Sequence, residues 1–312
     1  GPLASPFQLI LPHNYLFIPD FSSDIPANDV TQRIIIGANV DLSGVKMRLP
    51  SSRDLLWNNF HGNGGIVGLG LEYLYLDFAD ISGTKFGLGT GQFERLNMKN
   101  SVFNHATLTN TVFENVDLSG ASFLGSDINL DGARFRNVIP SDGNGISIDN
   151  GKYRFINGSL VGPNLDMSDV DLSGGDISGI DLTGSNLFMV KGRLSKPSSR
   201  LDLLPPGYII HNGFIVGPSV DLSGADLTDI DISGSSGSNL FDLTNSILNN
   251  CNLSSGRFEN VDIRGCDFKG ATFQNFYSKG LNSDDNTSLD NERLIRKGIL
   301  LGPGVDLSGQ DL

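Results

Sequence analysis

Cysteine is nearly absent from this sequence. Cys251 and Cys266 are its two thiols, too few for the disulfide framework that staples small secreted domains. Histidine is scarce as well. His13, His61, His105 and His211 are scattered, none at zinc-ligand spacing from a cysteine or another histidine. No run of about 18 apolar residues occurs, which excludes a membrane-spanning helix. Basic residues are outnumbered, 22 against 35 acids, for a formal charge of -13. That balance disfavours nucleic acid and anionic membranes as direct partners and suits basic proteins or plain solubility. A P-loop, GxSxG, HExxH and a GxGxxG ahead of a helix are all missing. The expectation is therefore a non-enzyme with no cofactor, resident metal or small-molecule substrate.

What is present is a step of five. From Phe93 it runs through Met98, Phe103, Leu108, Phe113, Leu118, Phe123 and Ile128, every stop large and apolar. Two residues before the stops lie Gly91, Leu96, Ser101, Ala106, Thr111, Val116, Ala121 and Ser126, nearly all small. The same grammar holds at Leu71, Leu76, Ile81 and Phe86; at Met167, Leu172, Ile177, Leu182 and Leu187; at Leu222, Leu227 and Ile232; from Leu243 through Leu253, Phe258, Ile263 and Phe268 to Phe273; and at Leu307 and Leu312. A period of five fits neither helix nor strand alone. It implies one short strand and one tight turn per unit. The centre and the small residue two before it both face inward, and a Gly or Asn after the centre supplies the turn. Four units close a square coil of about 20 residues, and coils stack about 4.8 Å apart.

Val220-Asp221-Leu222-Ser223-Gly224-Ala225-Asp226-Leu227 carries this grammar plainly and resembles the pentapeptide-repeat family. The resemblance implies an all-β fold, a right-handed quadrilateral β-helix, here interrupted by hairpins and loops. The coil length predicts Phe93 under Phe113 and Phe103 under Phe123 on opposite faces, giving two phenylalanine columns, and a mixed Leu253–Phe273 column. The inward core is expected at Phe93, Phe103, Phe113, Phe123, Leu172, Leu182, Leu222, Leu253, Phe258, Phe268 and Phe273.

Three breaks between runs share a second pattern: 153–163, 208–218 and 294–303, each two apolar stretches flanking Asn157-Gly158, Asn212-Gly213 or Lys297-Gly298, then Gly-Pro. Such flanked dipeptides signal tight hairpins. A weaker copy lies at 60–68 and a degenerate one near 33–44. Matching lead-ins begin Pro50-Ser51-Ser52-Arg53 and Pro197-Ser198-Ser199-Arg200. The hairpin strands, apolar on both faces, are expected to join the helix wall rather than to ride on it as surface insertions. The organisation expected is residues 1–5 as the remnant of a cleaved tag, 6–32 an N-terminal lead-in, 33–150 a repeat helix with an insertion near 48–68, 151–205 and 206–292 two hairpin-plus-run modules, and 293–312 the truncated start of another.

Candidate chemistry has a bland counterpart at each position. His105 falls in a turn facing outward, and His211 lies at a hairpin tip. Cys251 and Cys266 take small inward positions on neighbouring faces, which disfavours a disulfide. Asp171, Asp176, Asp181, Asp221, Asp226, Asp231, Asp262 and Asp267 precede centres and face outward. Calcium between them is weighed and disfavoured, because the Gly-Gly-x-Gly-x-Asp nonapeptide is absent; turn hydrogen bonding explains them better. The aromatic cluster Trp57, Phe60, Tyr73 and Tyr75 reads as packed core or cap. The sequons at Asn157, Asn252 and Asn286 read as chance.

Three functions fit: a structural spacer, adhesive segment or virion component cut from a longer array; an acidic DNA mimic binding a type II topoisomerase, which the resemblance implies for some family members; and a generic protein-binding scaffold. The first is preferred because the array is modular. Its partner would be a protein, or a second copy meeting it through solenoid ends or flat faces, and an extracellular or virion surface is slightly favoured.

Overall fold

The computed structural model describes residues 15–19, 33–37, 85–87, 96–148, 151–198, 200–234 and 240–310. The aromatic cluster at 57–75, the 60–68 copy, the first lead-in and Phe93 lie outside them. Two compact units are present, 1–150 and 151–312. Short strands and turns build both, and the one helical piece among the described residues is a 3-10 turn at Leu201–Leu203 in the second lead-in. The chain is an all-strand β-solenoid.

In the first unit the coils pair in parallel, with Leu96 opposite Val116 and Val102 opposite Ser122, twenty residues on. Each turn closes the same way. The carbonyl of a centre accepts from the amide three residues later, as in Met98 to Ser101, Phe103 to Ala106 and Leu108 to Thr111. The third turn residue then takes positive φ: Asn100 at 58°, His105 at 57°, Asn110 at 55° and Gly120 at 74°. That is the requirement of a type II turn, and Asn and Gly meet it most readily.

Two sequence expectations change here. Phe113 pairs with Phe86 of the Lys85–Gly87 strand rather than with Phe93, so the coil below it is longer than twenty residues. Ile128 is not a centre. It is half-buried and Ser126 is exposed, whereas Leu130, Ala133 and Phe135 are buried. The amide of Ile128 bonds the carbonyl of Gly125, so Gly125 to Ile128 forms an added turn. The register downstream moves by two residues, to Phe113 opposite Phe135.

The core follows the corrected register. Phe103 and Phe123 stack with ring centroids 4.6 Å apart, and Phe113 and Phe135 with centroids 4.7 Å apart. The two columns meet edge to face at 5.4, 5.8 and 5.7 Å, the geometry that aromatic quadrupoles favour.

In the second unit Asp166, Asp171 and Asp176 lie beside Asn186, Lys191 and Lys196, again twenty residues on. The spacing lengthens to thirty at Lys191 and Asp221, where the second lead-in and hairpin intervene. It falls to twenty-six at Ile232 and Phe258, returns to twenty at Phe241 and Val261, and lengthens to twenty-nine at Tyr277 and Asp306, across the last hairpin. A four-stranded parallel sheet records the stack: Asp231–Ser233, Arg257–Glu259, Phe276–Lys279 and Val305–Asp306. Leu172, Leu182, Leu222, Leu253, Phe258, Phe268 and Phe273 are all buried, and the amide of Leu253 bonds the Thr272 carbonyl.

Candidate interaction surface

Three hairpins share one geometry. Arg154–Ile156 pairs antiparallel with Ser159–Val161, Ile209–His211 with Phe214–Val216, and Leu294–Arg296 with Ile299–Leu301. Both tip residues have positive φ: Asn157 50° and Gly158 77°, Asn212 47° and Gly213 85°, Lys297 51° and Gly298 75°. This is the type I′ pattern, whose twist matches its strands. Each hairpin is its own two-stranded sheet. The strands therefore do not enter the parallel ladders as expected, because pairing with each other already satisfies their facing backbone groups.

Attachment to the wall comes from the tips instead. Gly213 accepts from the Leu194 amide at 2.8 Å, and Gly298 from the Leu281 amide at 2.9 Å. On the other side, Asn157 Nδ2 donates to the carbonyls of Asp171 and Ser173, both at 3.0 Å. Asn212 Nδ2 repeats this with Asp226 and Thr228, at 3.3 and 3.4 Å. His211 Nε2–H donates to the same Thr228 carbonyl at 2.8 Å, which fixes its tautomer, since a carbonyl only accepts.

A second latch lies inside. The Gly162 carbonyl, just ahead of Pro163, accepts from the buried Ser185 Oγ at 2.6 Å, and the Gly217 carbonyl accepts from Ser246 Oγ at 2.7 Å. A Cβ on Gly162 or Gly217 would collide with the ring of Tyr153 or Tyr208, nine residues earlier. In the last hairpin Arg293 takes this place, its guanidinium over the Phe273 ring at 5.0 Å. Beneath that hairpin, Phe258, Phe273, Ile295 and Leu300 help line an apolar recess of about 230 Å³, open space included. It offers no polar group to orient a ligand.

The repeat aspartates serve the turns. Oδ1 of Asp166, Asp171, Asp176, Asp181, Asp221 and Asp226 accepts from the amide two residues later. Where that residue is Ser or Thr, its hydroxyl usually donates as well, as Ser178 does to Asp176 at 2.5 Å. Bonds from Ser178, with Lys196 and Arg154 adding to them, hold the Asp176 carboxyl well below its ordinary range. Burial works against ionisation at Asp262, yet the Arg264 side chain and amide outweigh it and lower its pKa too. Asp262 departs from the outward expectation: it is buried, with Arg264 Nη2 at 2.7 Å. For Asp166, Asp171, Asp176, Asp181, Asp221 and Asp226, the Ser or Thr two residues later was visible in the sequence as the partner these carboxylates required.

Cys251 and Cys266 are free and buried. Their thiols donate to the Leu222 and Leu243 carbonyls at 2.8 and 2.9 Å, and burial pushes both pKa values up to about 12. His105 sits in its turn with Nδ1 bonded to the Asp127 carboxylate. Leu294 and Leu307 stand exposed at 54% and 37%. Leu307, expected from the step of five as an inward centre, departs from that expectation, and Leu294 carried no sequence signal of its exposure.

The family model for pentapeptide repeats matches residues 97–137 and 242–275, in eight copies. No curated protein matches the chain. Among solved structures, QnrB1, titled a plasmid-mediated fluoroquinolone resistance protein, is 15% identical across 75% of this chain and 80% of its own, with a TM-score of 0.15. HetL from the cyanobacterium Nostoc, titled a pentapeptide repeat protein involved in heterocyst differentiation regulation, is 13% identical across 81% and 92%, with a TM-score of 0.19.

Proposed function

We propose that this pentapeptide-repeat chain is a non-catalytic interaction solenoid, a stiff spacer or adhesive segment of a surface or virion protein. The observation that carries the reading is the double latch of its hairpins. Tip and Gly-Pro step are each bonded to coil residues at both of the first two hairpins of the second unit. The features that looked chemically promising, the repeated aspartates and the two thiols, are occupied in holding turns and coils together. Such a body presents a fixed wall for lateral protein contact.

Stiffness is measurable. Spin labels at Lys191→Cys and Lys279→Cys, both exposed and within the second unit, should give one narrow distance distribution. A broad or multimodal one would overturn the spacer reading. The acidic charge of -13 favours a second reading, the mimic of DNA. Inhibition of gyrase supercoiling at micromolar protein would establish it over the first.

A further inference from the structure

The corners of the second unit are polar by habit, and one breaks the habit. The three corners before it read Ser173-Gly174, Ser178-Gly179 and Thr183-Gly184, whereas this one reads Phe188-Met189. Phe188 is 50% exposed. Met189 takes a φ of 56°, and among the described residues it is the one apolar side chain held at positive φ. That conformation strains an ordinary side chain, and Gly, Asn or Asp relieves it. Strain that the coil does not need, kept beside an exposed ring, points to a use outside the fold.

This corner lies within the stack, with a coil on either side. The amide of Asp169 donates to the Phe188 carbonyl at 2.8 Å, and the amide of Met189 to the Ser219 carbonyl at 2.6 Å. The exposure of Phe188 is therefore not that of an end coil. The next corner above is Pro218-Ser219, with Pro218 half-buried like Met189, so an apolar strip crosses two coils. Its surroundings are acidic. Asp169 below is exposed, and the strands entering and leaving the corner pair Asp166 with Asn186 and stack Asp171, Lys191 and Asp221. Four carboxylates thus flank the strip against one ammonium.

We propose that Phe188, Met189 and Pro218 form a docking site for a cationic protein segment, one that carries aliphatic side chains between arginines or lysines. Charge chooses this occupant. A second copy of a chain with formal charge -13 would bring like charge to an acidic rim. A cationic segment meets the same rim with opposite charge. The ring supplies the anchor, because a large rigid side chain at the centre of an interface carries much of its energy. Its face also attracts a guanidinium. The inference deepens the interaction reading above by giving the partner a chemistry, and it rests on that reading.

Fluorescence anisotropy of labelled synthetic peptides, titrated with the whole chain, tests it. One peptide alternates leucine with arginine, a second replaces its leucines by serine, and a third replaces its arginines by glutamate. The first should bind, more weakly as salt is added, and the other two should bind at least about tenfold more weakly. Phe188→Ser with Met189→Gly, which restores the Ser-Gly corner, should weaken the first peptide by about tenfold or more. The same double variant should melt no lower than wild type, since it relieves the positive φ. Leu124→Ser, at an exposed leucine of the first unit, should leave binding unchanged. No binding of the first peptide, equal binding of the serine peptide, or indifference to the double variant overturns the proposal. A lower melting temperature of that variant also overturns it, by making the pair a coil contact. None of these results touches the spacer reading, which the distance measurement decides.

Discussion

Phe103 and Phe123 lie face to face, with planes 6° apart, one coil above the other. The rings of Phe113 and Phe135 do the same across the interior. Around these four rings, which also meet edge to face, the interior is therefore interlocked aromatic packing with no room to collapse. Phe113→Ala should cost about 3–5 kcal/mol, the range for emptying a packed aromatic site. Ile128→Ala should cost under about 1 kcal/mol, because the added turn has moved that residue off the core. Native-state hydrogen exchange of the coil amides reads both, and equal costs would contradict the corrected register.

Corners obey a rule of their own. A Cβ on Gly120, Gly265, Gly270 or Gly280 would strike the side-chain oxygen of Asn100, Asn245, Asn250 or Asn260 in the coil below. Gly270→Ala should therefore cost about 1–3 kcal/mol, from positive φ and from the collision together. Adding Asn250→Gly removes the collision and leaves the backbone cost. A double-mutant cycle by chemical denaturation should return a favourable coupling. Strict additivity would mean that the two corners do not touch.

The tip asparagines can be separated from their turns. Asn212→Gly keeps the positive φ but loses the amide donor, and should cost about 1 kcal/mol, the net worth of such bonds. Asn212→Asp should cost more, because a carboxylate would face the carbonyls of Asp226 and Thr228. The order of thermal stability expected is wild type, then Gly, then Asp.

Acid should loosen the coils. Asp176, Asp226 and Asp306 have carboxyls lowered chiefly by bonds from Ser178, Thr228 and Ser308; at Asp171 burial opposes the bonds from Ser173 and is outweighed. A carboxyl lowered in the folded chain contributes stability that is complete above its unfolded value of 3.8 and is lost as pH falls through the folded value. Melting temperature should hold level from pH 7 to about 5 and drop steadily below about 4. Ser178→Ala should shallow that drop, and an unchanged acid limb would remove these turns as its cause.

The thiols give a simple count. With both pKa values near 12 and both side chains buried, Cys251 and Cys266 should resist a thiol reagent at pH 8 in the native chain. Both should react once it is unfolded.

The repeat was legible because every unit reports the same geometry: a large centre, a small partner and a corner that tolerates positive φ. The step of five failed at Ile128, where the letters continue in phase but the turn from Gly125 adds two residues. An apolar residue at the right spacing does not reveal which turn precedes it. Hairpin tips were legible from Asn-Gly because few dipeptides accept two positive φ values. Their attachment was not, since the partners of Asn157 and Asn212 lie fourteen and sixteen residues onward, on backbone carbonyls that carry no sequence signature. The exposure of Leu307 was equally hidden, because its letters match those of buried Leu222.

The corner rule also bears on how such a chain can change in length. Asn under Gly fits, as at Asn100 and Gly120. Asn under Asn fits as well: Asn137 Nδ2 donates to Asn115 Oδ1. Gly under Gly leaves only space. What fails is an ordinary side chain placed above Asn. Copying one whole coil stacks each Asn corner on Asn and each Gly corner on Gly, pairings that fit. Length is thus the property this architecture lets drift most freely, and the reach of the molecule can be reset by recombination without redesigning its interior.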